Sequence, residues 1–484
     1  MNGRCVSVWV VLALLAAGCS TAPVIEDPGA NRHIVSIGRD GGLEVIEPGR
    51  PIRENPGRQP EAVMKQAFGH IVDGIDSFDP TGSGPIDVVI FIHGGLNTKK
   101  ASLKRAADIY PLVLSDSPGK YPIFVNWRSG PISTYSAHLG RIRQGEIFTT
   151  ARLTAPVYLF SDVATSLVNA PKSWLVTGGH MVETTVKRDD SYLDAYTAGN
   201  HNVLFTGNKN SYERLGRTLK WLGTGPFKLA TTPFAYTMAK PAWDIMLRRT
   251  NTPFHTPEDL ENTTHNIGFG RQAGSGALYE LLLALRDDIA ERKSDGRRPV
   301  RITLVGHSMG AIIVNRILSL RLDLPINNVV HMASADSITN LLDRVVPFIE
   351  RENTRPGADV RFYSLSLHPE NEDREASVGG LSPSGSLLVW IDNMYTTPET
   401  VLDKRSGRWT NMERALPLIS AQARSKMFFK IYGLNDCGAD RQDGVIAEPQ
   451  EHGDFDNLPF WRAETWWGLA SVGAIPGCAG STSP

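Results

Sequence analysis

The stretch around Gly306-His307-Ser308-Met309-Gly310 limits the fold more than any other part of the chain. Ile302, Leu304 and Val305 before it are apolar and strand-like, and Ala311, Ile312, Val314, Asn315 and Ile317 after it continue as a helix. A strand that turns directly into a helix has no room for side chains where the two converge, which accounts for glycine at 306 and 310. Ser308 is then forced into a strained conformation. Its hydroxyl sits at the end of a sheet, beside the first turn of a helix. There the Met309 amide and the helix dipole can stabilise negative charge. In a chain with 45 glycines the Gly-x-Ser-x-Gly spacing alone says little; the flanking strand and helix give it meaning.

Other segments supply the rest of a parallel sheet. Residues 86–92 form a continuous apolar run, the mark of a central parallel strand, and end in His93-Gly94-Gly95-Leu96. A helix is expected over 100–114, a strand over 121–127, and an amphipathic helix over 278–291 before the Ser308 strand. Further strands are expected over 328–333, 360–367 and 427–433. Strands alternating with helices predict an α/β fold, a mostly parallel sheet with helices on both faces. Pro60 opens a helix with Val63, Ala67, Ile71, Val72 and Ile75 on one face. Residues 19–60 are rich in Pro, Gly and polar types and read as a tether, with one hairpin around Asp40-Gly41. Between 131 and 273 the alternation breaks into helix-like apolar pieces, such as 154–168. This predicts a large helical insertion, read equally as a cap over the site or as a packed insertion with its own core.

A serine hydroxyl becomes a nucleophile only with a base, a group that orients the base, and donors for the oxyanion. His93-Gly94-Gly95 follows an apolar strand, and the amide of Gly95 or Leu96 would join that of Met309 as donor. The chain thus resembles an α/β-hydrolase, over roughly residues 86–130 and 275–467: a His-Gly-Gly turn after one strand, the serine elbow after another, and a histidine beyond the last. The resemblance implies a core of 61–130 and 274–484, with 131–273 inserted. His452, after the last strand, is the expected base; His368 is the competitor but comes early in chain order. For the acid, Glu370, Glu372 and Asp373 follow one strand and Asp336 follows the strand before it. Glu372 is the first choice and Asp336 the alternate. Asp454 and Asp456 lie near His452, but no second His or Cys stands at ligand spacing, so no metal is expected.

The expected activity is hydrolysis of an ester or related acyl bond through an acyl-serine. No cofactor is implied. The substrate class, a small-molecule or lipid acyl compound, comes from the resemblance alone. Acyl transfer or peptide cleavage on the same scaffold, or a non-catalytic envelope lipoprotein, are the rival readings.

A net charge of −1 gives no electrostatic case for nucleic acid as a partner. Arg4 and the apolar run 6–17, too short to span a bilayer, precede Gly18-Cys19. Residues 1–18 resemble a bacterial lipoprotein signal, which implies a lipid on Cys19 and an envelope location, with Ser20 fitting the outer membrane. Of the four cysteines, Cys437 and Cys478 would then remain in an oxidising compartment and are expected to pair. Closing a loop of roughly forty residues would stabilise the fold by about 4 kcal/mol. Alkylation of the unreduced mature protein should leave both unlabelled, with two labels gained after reduction; labelling without reductant excludes the bridge.

Overall fold

A computed structural model describes residues 22–52, 61–78, 84–140, 142–143, 146–147, 153–168, 175, 202–206, 237–256, 275–375, 385–433, 441–442, 445–446 and 448–467. Cys19, Cys437, Cys478 and most of the expected insertion lie outside these residues. The fold is α/β with a nine-stranded, mostly parallel sheet. Among the described residues no helix is long and apolar enough to cross a membrane. The chain divides into two compact units, one formed by residues 1–171, 232–302 and 320–325, the other by 172–231, 303–319 and 326–484.

The first unit holds β1 (Ile34–Ile37), β2 (Leu43–Glu44), β3 (Ile86–Ile92) and β4 (Lys120–Asn126), in the order β2-β1-β4-β3. β3 and β4 run parallel, with Ile90 opposite Ile123, as their continuous apolar sequence requires. The stretch read as a tether differs from expectation. Its hairpin joins the sheet: β1 pairs with β4 in parallel through Val35 and Val125, and with β2 antiparallel through Ser36 and Glu44. Ile25, Ile34, Val35, Ile37 and Leu43 are buried there, and a polar tether cannot offer such burial. Glu44 is buried among Ser36, Lys99 and Arg128, whose two cations lower its carboxyl pKa in spite of burial.

Helices of this unit include α1 (Glu61–Ser77), α2 (Lys99–Asp116), α3 (Pro131–Gly140), α4 (153–168) and α5 (Ala277–Ser294). Thr98 caps α2 by accepting from the Ala101 amide at 3.2 Å. Leu278, Leu281, Leu282 and Leu285 recur at helical spacing along α5 and are all buried. In contrast, α4 leaves Leu153, Val157, Phe160, Leu167 and Val168 exposed.

The second unit holds β5 (Val203–Thr206), residues 303–307 of β6 (Val300–His307), β7 (Ile326–Met332), β8 (Arg361–Leu367) and β9 (Met427–Tyr432). Their order is β6-β7-β8-β9-β5. β8 is parallel to β7 and to β9, with Phe362 opposite Val329 and Ser364 opposite Phe429. β5 comes from the stretch expected to be helical, yet it extends the sheet alongside β9, Phe205 opposite Ile431. The helices used below are α6 (Gly310–Ser319), α7 (Pro369–Arg374) and α8 (Trp409–Ala415). α6 buries Ala311, Ile312, Ile313, Val314, Asn315, Ile317 and Leu318, nearly its whole circumference, as a helix does when covered on all sides.

His331 on β7 is buried and neither ring nitrogen has a partner among the described residues. Burial pushes its pKa from 6.5 down to about 3. The unfolded chain therefore takes up a proton below about 6.5 that the folded chain refuses until about 3. The associated stability is complete above pH 6.5 and drains as pH falls towards 3. His331→Leu should flatten the decline of Tm between pH 7 and pH 4, measured by thermal melts; an unchanged slope would show that His331 takes no part in it.

Candidate active site

Ser308 stands at the junction of β6 and α6 with φ of 52°, in the left-handed region that non-glycine residues avoid. The turn is held there by three main-chain bonds. The Ser308 amide donates to the Met332 carbonyl at 2.8 Å, and the Ser308 carbonyl accepts from Ala311 at 3.2 Å and Ala335 at 3.0 Å. A Cβ on Gly306 would meet the main chain of Ala311 at 2.7 Å, so strand and helix approach as the glycine spacing implies. Behind the turn, Gly407 packs against Ser334, and a Cβ there would come within 2.2 Å of the Ser334 nitrogen.

His452 opens a short 3-10 turn, His452–Asn457, beyond β9. Asp454 fixes the entry by accepting from the amides of Gln450 and Glu451, each at 3.0 Å. The Nε2 of His452 lies 3.0 Å from the Ser308 hydroxyl oxygen, 144 residues away in sequence. A ring that accepts the serine proton at Nε2 carries its own proton on Nδ1. That Nδ1 is buried and has no partner among the described residues. Burial pushes the ring's pKa from 6.5 down to about 3, reinforced by neighbouring His307 and opposed by Asp456. The neutral ring, the form able to accept a proton, therefore prevails at neutral pH.

Neither expected acid is hydrogen-bonded to that ring. Glu372 on α7 accepts from Nε of Arg408 at 3.0 Å, and the same guanidinium reaches Asp392 at 2.9 Å. All three are buried. Asp336 accepts from the Asn315 and Asn340 side chains at 2.7 and 2.6 Å and from the Ser337 amide at 2.8 Å. Both carboxylates are thus committed to other groups. The carboxylate that does reach His452 is Glu375, three residues after Glu372. Its Oε2 accepts from the main-chain amide of His452 at 2.9 Å. Burial pushes its carboxyl up to about 7, against the pull of that amide and with Glu451 and Asp454 adding to the rise. His368, the competing base, instead caps α7, its Nδ1 accepting from the Glu370 amide at 3.2 Å.

Met309 directly precedes α6, and its amide carries no hydrogen bond among the described residues. Gly94, Gly95 and Leu96 follow β3 in the first unit. The Leu96 amide donates to the Ser129 carbonyl at 3.0 Å, which removes it from the expected donors. Among the described residues no group of three side chains could hold a metal ion.

Three residues near Ser308 carry no sequence signal of their role. Glu375 lies in a run of acidic residues that a reading by position cannot tell apart. His307, next to the serine, donates or accepts through Nδ1 at 2.7 Å from Asp456 Oδ1. Only the four-residue spacing of Asp456 from His452, about one helical turn, hinted at a shared loop. The chain matches no family model, no curated protein and no solved structure.

Arg408 is the single cation between Glu372 and Asp392 in these bonds, and Arg405 continues the cluster by donating to the Ala335 carbonyl at 3.1 Å. Arg408→Met leaves two buried carboxylates without it and should lower stability by about 3–5 kcal/mol in denaturant melts. A loss under about 1 kcal/mol would show that the cluster is not a support of the fold.

Proposed function

We propose that this chain is a serine hydrolase of the α/β-hydrolase type, acting on an ester or related acyl bond. The single observation that carries the reading is the 3.0 Å contact between His452 Nε2 and the hydroxyl of a serine held at a left-handed turn. His452 takes the hydroxyl proton as the Ser308 oxygen attacks the acyl carbon. The carbonyl oxygen becomes negative and draws on the Met309 amide and the opening of α6. Collapse expels the alcohol, which receives the proton from His452, and leaves an acyl-serine. Water, deprotonated by the same ring, then releases the acid and restores the hydroxyl. The resemblance at residues 1–19 supports a lipid anchor in the cell envelope, and the exposed apolar side chains of α4 are compatible with a cap in the inserted stretch.

Glu375 is the acid of this reading. The main-chain nitrogen and Nδ1 belong to one residue, so one carboxylate can serve both, an oxygen for each. Oε2 already holds the amide and Nδ1 has no partner among the described residues, so this reading assigns Oε1 to the Nδ1–H. The charge that forms on the ring during attack would then be balanced.

A fluorophosphonate probe should label the wild-type chain and fail to label Ser308→Ala; a folded wild type that resists the probe counts against the hydrolase. Glu375→Gln should lower kcat on a p-nitrophenyl ester by about 10²–10⁴ with the fold retained, whereas Glu372→Gln should act mainly on stability. Equal activity in Glu375→Gln and wild type would remove Glu375 from the mechanism. Because the carboxyl must be ionised to pair with the ring, and burial raises its pKa to about 7, activity should climb as pH rises through about 7. Glu375→Gln should lack that limb in a kcat/KM profile.

A further inference from the structure

The residue that precedes the nucleophile has a second connection to the base. His307 ends β6, is buried, and contacts the 452–457 turn at three points. Its Nδ1 is 2.7 Å from Asp456 Oδ1, and its Nε2 is 3.3 Å from the main-chain oxygen of His452. Its ring lies 5.2 Å from that of His452 and stacks on Phe455 at 6.2 Å, with planes inclined by 26°. The first, fourth and fifth residues of the turn are therefore all referred to one ring, covalently next to Ser308.

The partners also specify the ring's chemistry. A carbonyl oxygen can only accept, and an ionised carboxylate can only accept. With Asp456 ionised, both bonds form at once only if both nitrogens of His307 carry protons, and the pair is then oppositely charged. An ion pair of this kind is directional and hydrogen-bonded at both ends, so the turn has little freedom to slide. The chemistry needs that restraint. Displacing a base by about 1 Å from its nucleophile can cost on the order of 10²-fold in rate.

We propose that His307 and Asp456 form a charged clamp that positions His452 over Ser308 without touching the substrate. The proposal rests on the serine-hydrolase reading and adds two positioning residues to it. His307 spans the elbow and the base turn, and Asp456 holds His307 in the doubly protonated form that can make both bonds. Removing either partner releases the same restraint, so the two losses coincide and do not add.

The test uses the full chain and a fluorophosphonate, read as the maximal labelling rate and the concentration for half-saturation. His307→Phe, Asp456→Asn and the double variant should each label about 10–100 times more slowly than wild type, with half-saturation changed less than about threefold. The double variant should be no slower than the slower single one. Asp456→Glu should recover part of the rate, because it restores the charge. A ring with two protonated nitrogens should be visible in the ¹⁵N-histidine spectrum of the wild type and vanish in His307→Phe. Should His307→Phe melt before measurement, Asp456→Asn, which keeps shape and an acceptor oxygen, decides alone. Wild-type labelling rates in folded Asp456→Asn would overturn the clamp while leaving the hydrolase reading intact. Additive losses, or an effect confined to half-saturation, would overturn it as well. A wild-type chain that never labels would remove the hydrolase reading, and the clamp with it.

Discussion

Everything in the second unit that bears on chemistry depends on one unfavourable torsion. Ser308 is held at a positive φ, which costs of order 1–3 kcal/mol for a residue with a side chain. The surroundings over-determine it. The amide and carbonyl of Ser308 are both engaged, the latter by two donors, so the peptide planes on either side cannot rotate independently. One donor, Ala335, has its own carbonyl held by Arg405, which also contacts Asp392. The strain at one residue is thus opposed by an ion cluster that spans several elements, from Glu372 on α7 to Arg408 beside α8.

That cluster separates two duties that the sequence runs together. Six residues, 370–375, hold Glu370, Glu372, Asp373 and Glu375. Helical geometry turns Glu372 inwards to Arg408, while Glu375, at the exit of α7, turns to the amide of His452. One carboxylate is held within the ion cluster and the other meets the main-chain amide of His452. Chain order alone cannot distinguish them, because the distinction depends on where the helix stops.

The parts of the fold that were legible in the sequence are those with strong local periodicity. The apolar run of β3, the four leucines of α5 and the strand-glycine-helix pattern at Ser308 each state their structure within about a dozen residues. The histidine that meets Ser308 was legible too, because only one histidine follows β9 among the described residues and its loop precedes an aromatic segment. What escaped depends on distant partners. β5 has four residues and no signature; it is a strand because β9 offers an unpaired edge to Phe205 and its neighbours. The hairpin of β1 and β2 sits in a Pro- and Gly-rich stretch that looks like linker, and only pairing with β4 draws it into the sheet. His307 and Asp456 are 149 residues apart, and nothing short-range links them.

The hairpin has a mechanical consequence for the proposed lipid anchor at Cys19. Val24 already bridges to Pro51 and Ile25 is buried, so on that proposal the leash between cysteine and folded body would have four residues, 20–23. Fully extended, such a leash reaches about 18 Å. A body so tethered would graze the bilayer and not roam above it, and it would meet molecules already dissolved in or leaving that surface sooner than those free in bulk water.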